Sequence, residues 1–156
     1  MKQKWKFQKG VKLYIMEGTT IRILFDDGKT KEYDVKNIFD RFPHYKCLED
    51  RKLFLKAHLL GCGGVGWTPD IDLSVDTVYY EGIDVKSEED ALQYVIGFKV
   101  KQERLKKELS QEEFSKLTGV DQSSISKLEK GQFNPSIKQL EKILKPLGKH
   151  LEINIK

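Results

Sequence analysis

Cysteine is scarce in this sequence, with Cys47 and Cys62 the only two in 156 residues. That excludes a disulfide-stapled scaffold of the small secreted kind, and both are expected to be reduced thiols acting as small apolar side chains. No apolar run approaches the roughly 18 to 20 residues of a membrane span, and the opening M-K-Q-K-W-K-F-Q-K-G lacks the apolar stretch of a signal peptide. A cytoplasmic protein with no membrane partner is therefore expected. There is no low-complexity tract and no repeat of fixed period, which argues against a solenoid or a disordered chain. The charge is unevenly placed. Residues 97–156 hold thirteen Lys or Arg against eight Asp or Glu, a balance of +5, whereas the remainder carries −1.

The basic part holds the most informative segment, Leu109–Leu140. Ser110 with Glu113 forms a capping box, Asp121 is an N-cap ahead of Gln122, and Ser136 with Gln139 forms a second box, so three helix starts are marked. Gly119 ends the first of these helices in a tight turn. Phe114, Leu117, Val120, Ile125 and Leu128 fall at helical spacing and are expected to share one core, leaving Gln111, Gln122, Ser123, Ser126 and Lys127 outside. A helix-turn-helix needs that division, with apolar residues joining the pair and short polar residues turned toward a DNA groove.

The preceding helix is expected to run from Glu88 to about Glu108. Ser87 with Asp90 would cap it, Ala91, Leu92, Val95, Phe98, Leu105 and Leu109 would form its apolar stripe, and its first half would bridge two domains. A fourth helix spans Ile137–Leu147, weakened at Pro146 and stopped at Gly148. The tail L-E-I-N-I-K alternates Leu151, Ile153 and Ile155 with polar residues and reads as a strand with one apolar face. It would pair with its copy in a second chain, giving a homodimer, or add to an N-terminal sheet in the same chain.

Upstream, apolar and polar residues often alternate between Val11 and Val35, and the D-D-G of Asp26–Gly28 supplies a hairpin turn, so a β-meander begins here. Asn37–Arg41 reads as a short helix, residues 51–60 as a strand, and W-T-P-D-I-D-L-S-V-D-T-V-Y-Y-E-G as a short strand, a turn and an end piece. The fold class expected is α+β: a small α+β domain over residues 1–86, then an all-α domain over residues 87–156 with a C-terminal β-strand.

Three sets of residues in the N-terminal region bear on chemistry. Gly61–Gly66 fits G-x-G-x-x-G, but the W-T-P-D that follows cannot open the helix a dinucleotide loop requires, so a glycine-rich turn is expected. His44, Cys47, His58 and Cys62 are residue types that suit tetrahedral zinc, but they lie across a turn and a strand end, and no metal site is assigned. Asp70, Asp72 and Asp76 have no His or nucleophile beside them in sequence, so turn and cap roles are expected rather than acid–base work. No catalytic residue, cofactor or enzymatic activity follows.

Two resemblances add to this reading. Residues 92 to 156, with R-L-K-K-E-L-S-Q-E-E-F-S-K-L-T-G-V-D-Q-S-S-I-S-K-L-E-K-G-Q-F-N-P-S, resemble the lambda repressor-like helix-turn-helix family, also called the xenobiotic response element family. Ser115 stands where that family usually has Ala, and Thr118 replaces a commoner apolar or charged residue. The resemblance implies that Gln111 caps a phosphate, that Gln122, Ser123 and Lys127 face bases, that Asn134 belongs to a second phosphate clamp, and that Arg104 pairs with Glu129. With Ser126, Lys130 and Lys138 added, these complete the expected DNA-binding set, Lys138 as a phosphate contact. The N-terminal region, through Phe25, Asp27, Gly28, Trp67, Asp72, Leu73, Tyr79, Tyr80 and Gly82, resembles a small bacterial domain of unknown function that accompanies regulators or toxin–antitoxin pairs.

The expectation is a sequence-specific regulator of transcription that binds double-stranded DNA as a repressor. One alternative is an antitoxin that also neutralises a partner toxin. Another is an enzyme with its site in the N-terminal domain. RNA binding is disfavoured because the helix-turn-helix has no exposed aromatic stacking pair.

Overall fold

The computed structural model describes residues 7–61, 63–88 and 90–155. The chain divides into two compact units, Met1–Glu88 and Glu89–Lys156.

In the first unit the alternating pattern builds an antiparallel meander of β1 (Gly10–Ile15), β2 (Thr20–Phe25) and β3 (Thr30–Asp34). Ile21, Ile23 and Phe25, at alternate positions of β2, are fully buried. The hairpin at Asp26–Gly28 forms as expected, its Asp27 carboxylate accepting from the Lys29 N–H at 3.0 Å. The short helix expected over Asn37–Arg41 forms earlier, as a 3-10 turn at Val35–Ile38, because the Asp34 side chain accepts from the Lys36 N–H and starts it there. A second 3-10 segment, Pro43–Glu49, follows.

Residues 51–60 are not one strand. They divide into α1 (Arg51–Phe54), capped by Asp50, and β4 (His58–Leu59). β4 joins β5 (Val65–Thr68) and β6 (Ile71–Leu73) in a second antiparallel sheet. The buried Trp67 indole donates to the Phe54 carbonyl at 3.1 Å, fastening β5 to α1. Where an end piece was expected, Ser74 caps α2 (Val75–Glu81), which turns Val75 and Val78 into the core. An unexpected strand, β7 (Ile83–Val85), then pairs with β3, and the first sheet runs β1-β2-β3-β7.

The second unit contains α3 (Ala91–Lys106), α4 (Gln111–Thr118), α5 (Gln122–Glu129) and α6 (Ile137–Leu144). A 3-10 turn at Lys145–Leu147 follows and stops at Gly148. Val100, Phe114, Ile125, Leu128, Ile143 and Leu147 form its core. α3 starts later than its sequence signature, at Asp90, which makes no side-chain cap bond. Ser87 belongs to the first unit instead, its hydroxyl 2.8 Å from that of Thr30 and donating to the Gly28 carbonyl at 3.2 Å. α3 therefore lies wholly in the second unit and bridges nothing. Its buried residues are Ala91, Val95, Gly97, Val100 and Arg104, while Leu92 and Leu105 are exposed. A Cβ built at Gly97 would stand 2.0 Å from the Leu128 carbonyl oxygen, so α3 crosses α5 backbone to backbone at this point.

Two further expectations change. Leu117 is 58% exposed, and Thr118 is buried beside it, its hydroxyl donating to the Phe114 carbonyl at 2.9 Å and accepting from the Val120 N–H at 3.2 Å. The strand expected at Leu151–Lys156 is not formed in the single chain. Residues 151–155 make no ladder, the first sheet is assembled without them, and Ile153 and Ile155 are exposed, because a strand needs a partner that this chain does not supply. Lys156 lies outside the described residues. Among the described residues no helix is long and apolar enough to cross a membrane.

Candidate nucleic-acid interface

Local hydrogen bonds set where α4 and α5 begin. At α4 the Glu113 N–H donates to the Ser110 hydroxyl at 3.1 Å, and the Ser110 N–H donates to the Glu113 carboxylate at 2.7 Å. At α5 the Asp121 carboxylate accepts from the N–H of Ser124 at 2.9 Å and from its hydroxyl at 2.7 Å. These bonds to Ser124 hold the Asp121 carboxyl below its ordinary pKa. Between the helices Gly119 takes the left-handed conformation at φ 67°, and the Ser115 hydroxyl donates to the Val120 carbonyl at 2.7 Å. The serine that departs from the family's alanine thus closes the turn.

So started, α5 divides cleanly. Ile125 and Leu128 are fully buried, whereas Gln122, Ser123, Lys127 and Lys130 are exposed and Ser126 is half-buried. At 100° per residue these five outer positions occupy an arc of about 140° away from the core. Asn134 and Lys138 are also exposed, Lys138 in the first turn of α6, which carries its own reciprocal box between Ser136 and Gln139.

The back of the helix pair holds a buried polar knot. Arg104 from α3 donates through Nε to Glu129 Oε1 at 2.6 Å and through a terminal nitrogen to Oε2 at 2.9 Å, a two-pronged pair with side-chain exposures of 7% and 2%. It also donates to the Leu109 carbonyl. The hydrogen bonds to Glu129 raise the pKa of the guanidinium against the opposing effect of burial. Gln111, expected at a phosphate, is half-buried, and its amide Nε2 donates to Glu129 Oε2 at 2.9 Å. Sequence reasoning missed this bond, which joins residues 18 apart on different helices.

In the first unit the motif residues are occupied by the fold. The Tyr79 hydroxyl donates to the Asp27 carboxylate at 2.7 Å and accepts from the Lys29 ammonium at 3.2 Å, and its ring packs edge-on against Phe25. A Cβ at Gly82 would meet the Val78 carbonyl oxygen at 2.3 Å. Trp67 and Leu73 are core residues, and the Asp72 carbonyl accepts from the Tyr45 hydroxyl. Burial, reinforced by the hydrogen bond to Glu81, pushes the Tyr33 phenol up to about 12. Gly61–Gly66 forms the turn between β4 and β5 and runs into a strand, so the loop is not followed by the helix a dinucleotide site requires. Cys47 is exposed rather than a buried apolar residue, and its thiol donates to the His44 carbonyl at 3.1 Å. Cys62 lies outside the described residues, and among those described no three His, Cys, Asp or Glu side chains gather as a metal site.

Comparison with known families gives two matches, and the first coincides with this geometry: residues 100–154 match the family model described as Helix-turn-helix. Residues 100–154 are a helix-turn-helix domain. Residues 11–84 match the family described as Protein of unknown function (DUF2442). An uncharacterized helix-turn-helix-type transcriptional regulator of Haemophilus influenzae is 49% identical over 45 residues, which are 29% of this chain and 46% of that protein. The match thus spans about half the length of that curated relative. A crystal structure of a candidate DNA-binding protein from Nitrosomonas europaea matches with 19% identity and a TM-score of 0.44, over 91% of this chain and 88% of its own. Within the helix-turn-helix domain, α4 and α5 are the paired helices and α3 and α6 pack around them.

Proposed function

We propose that the chain is a sequence-specific DNA-binding regulator of transcription that acts as a repressor, with no reaction and no cofactor of its own. The observation that carries this reading is the outer face of α5: an uninterrupted polar surface on the second helix of a helix-turn-helix domain, opposite fully buried Ile125 and Leu128. Gln122 offers a donor and an acceptor side by side, matching adenine N6 and N7 in the major groove, while Ser123 and Lys127 make less exclusive base contacts. Ser126, Lys130, Asn134 and Lys138 suit backbone phosphates, and the +5 balance of residues 97–156 favours that contact. The name of the Haemophilus relative agrees with this reading. A binding role for the first unit is favoured over catalysis because its shared motif residues are held in fold contacts.

Selection from random duplexes by the purified chain tests the proposal. One enriched sequence is expected, and a reporter carrying it should be more active without the protein. Recovery of no preferred sequence would overturn the reading.

Two finer statements belong with it. The unpaired apolar face of Leu151, Ile153 and Ile155 supports a homodimer joined by a two-stranded ribbon, which would bring two recognition helices to a two-fold site. An antitoxin role is favoured by exposed Tyr80 and Ile83, which lie at and just before the edge strand β7 and offer an apolar docking edge for a partner toxin. Co-purification with the product of an adjacent gene, lost on Ile83→Lys, is the expected result.

A further inference from the structure

We propose that Glu129 is a positioning residue that sets the Gln111 amide for one backbone phosphate of the duplex, an inference that rests on the DNA-binding reading above. A carboxylate only accepts hydrogen bonds, so the Gln111 atom 2.9 Å from Glu129 Oε2 is the nitrogen, and the bond fixes which way the amide is turned. One amide N–H is thereby held at the back of the helix pair. The second N–H remains as a donor at the first residue of α4, the end of a helix that favours anions.

A bare carboxylate behind that donor would repel a phosphate. Here it does not stand bare, because Arg104 covers Glu129 with two N–H bonds at 2.6 and 2.9 Å and cancels its charge. The three residues come from three helices, so the same carboxylate that joins α3 to α5 also aims a side chain of α4. Gln111 is thus a phosphate donor held from behind.

The test uses the full chain and the duplex obtained by selection from random DNA, with each backbone phosphate near the site replaced in turn by an uncharged methylphosphonate. For the unaltered protein, replacement at the Gln111 phosphate should weaken binding by about tenfold, as loss of a hydrogen bond to a charged group does. Gln111→Leu should bind the unmodified duplex more weakly and become indifferent to that one replacement, with sensitivity at other phosphates kept. Glu129→Gln should show the same selective indifference, because an amide can face Gln111 by either end and no longer fixes its turn.

Glu129→Asp serves as the second variant. It keeps the charge beside Arg104 but is one methylene shorter, and it should also lose the selective sensitivity. A merely structural Glu129 would lower thermal stability and leave the phosphate pattern of the folded protein intact. Retention of the pattern in whichever Glu129 variant folds overturns the proposal, as does a Gln111→Leu protein with every sensitivity unchanged. If the unaltered chain selects no duplex, the DNA-binding reading itself fails and the positioning role falls with it, an outcome distinct from binding with an unaltered phosphate pattern.

Discussion

Position 97 needs glycine where an exposed helix would favour alanine. In an isolated helix Gly→Ala stabilises by about 1 kcal/mol, but here the added methyl would stand 2.0 Å from the Leu128 carbonyl oxygen. The sign therefore reverses. Gly97→Ala should destabilise by about 1 to 3 kcal/mol, the range for overpacking a tight contact, and a denaturant melt showing any gain would mean that α3 and α5 do not cross there. Outer positions behave differently. Gln122→Ala should cost about 1 to 3 kcal/mol on the selected site and relax preference at one base pair, whereas Lys138→Ala should weaken all sequences alike and reduce the salt slope by about one unit. Titrations over a range of salt, on selected and unrelated duplexes, separate the two. An unchanged preference in Gln122→Ala would place base reading elsewhere.

Among elements, helices that announce their own starts were legible, and those that depend on distant partners were not. The boxes at Ser110 and Ser136 and the cap at Asp121 lie within three residues of what they bond, so sequence order alone reveals them. α1 has four residues and α2 has seven, too few for a helical period to stand out from alternation. β7 has three residues and exists because β3, some fifty positions earlier, pairs with it. The swap of Leu117 for Thr118 in the core has the same origin: where α4 turns at Gly119 decides which side chain goes inward, and spacing does not measure that angle. The outer residues of α5 were readable because Ile125 and Leu128 fix the opposite face, while the bond from Gln111 to Glu129 was hidden by its separation in sequence.

The caps also give these elements a dependence on acid. Hydrogen bonds from Ser124 depress the Asp121 carboxyl, and the Ser110 backbone N–H depresses that of Glu113, so each binds its proton less readily in the folded chain than in the unfolded one. Their stabilisation is complete above the ordinary carboxylate pKa and fades as pH falls through the depressed value. Thermal melts should therefore drop between about pH 5 and about pH 3. Asp121→Asn, which keeps a capping oxygen without the titration, should drop less. An equal drop in both proteins would remove Asp121 from the account.

At the scale of the whole molecule, the unpaired tail makes the oligomer testable. Removing Leu151–Lys156 should convert a dimer into a folded monomer that binds half a site weakly, read by sedimentation. A dimer that survives the deletion would show that the association lies elsewhere. The lengths of α4, α5 and α6, eight residues each, have another consequence. Isolated helices shorter than about 12 to 15 residues are marginal in water, so the recognition surface exists only while Phe114, Ile125, Leu128 and Ile143 remain packed together. The reading helix cannot melt by itself and leave the rest in place; it opens with its domain. A duplex that holds the closed form then shields the chain from proteases in proportion to occupancy. Digestion should slow when the selected duplex is added and not when a scrambled one is, which would let a cell clear the copies of this protein that are not on DNA faster than those that are.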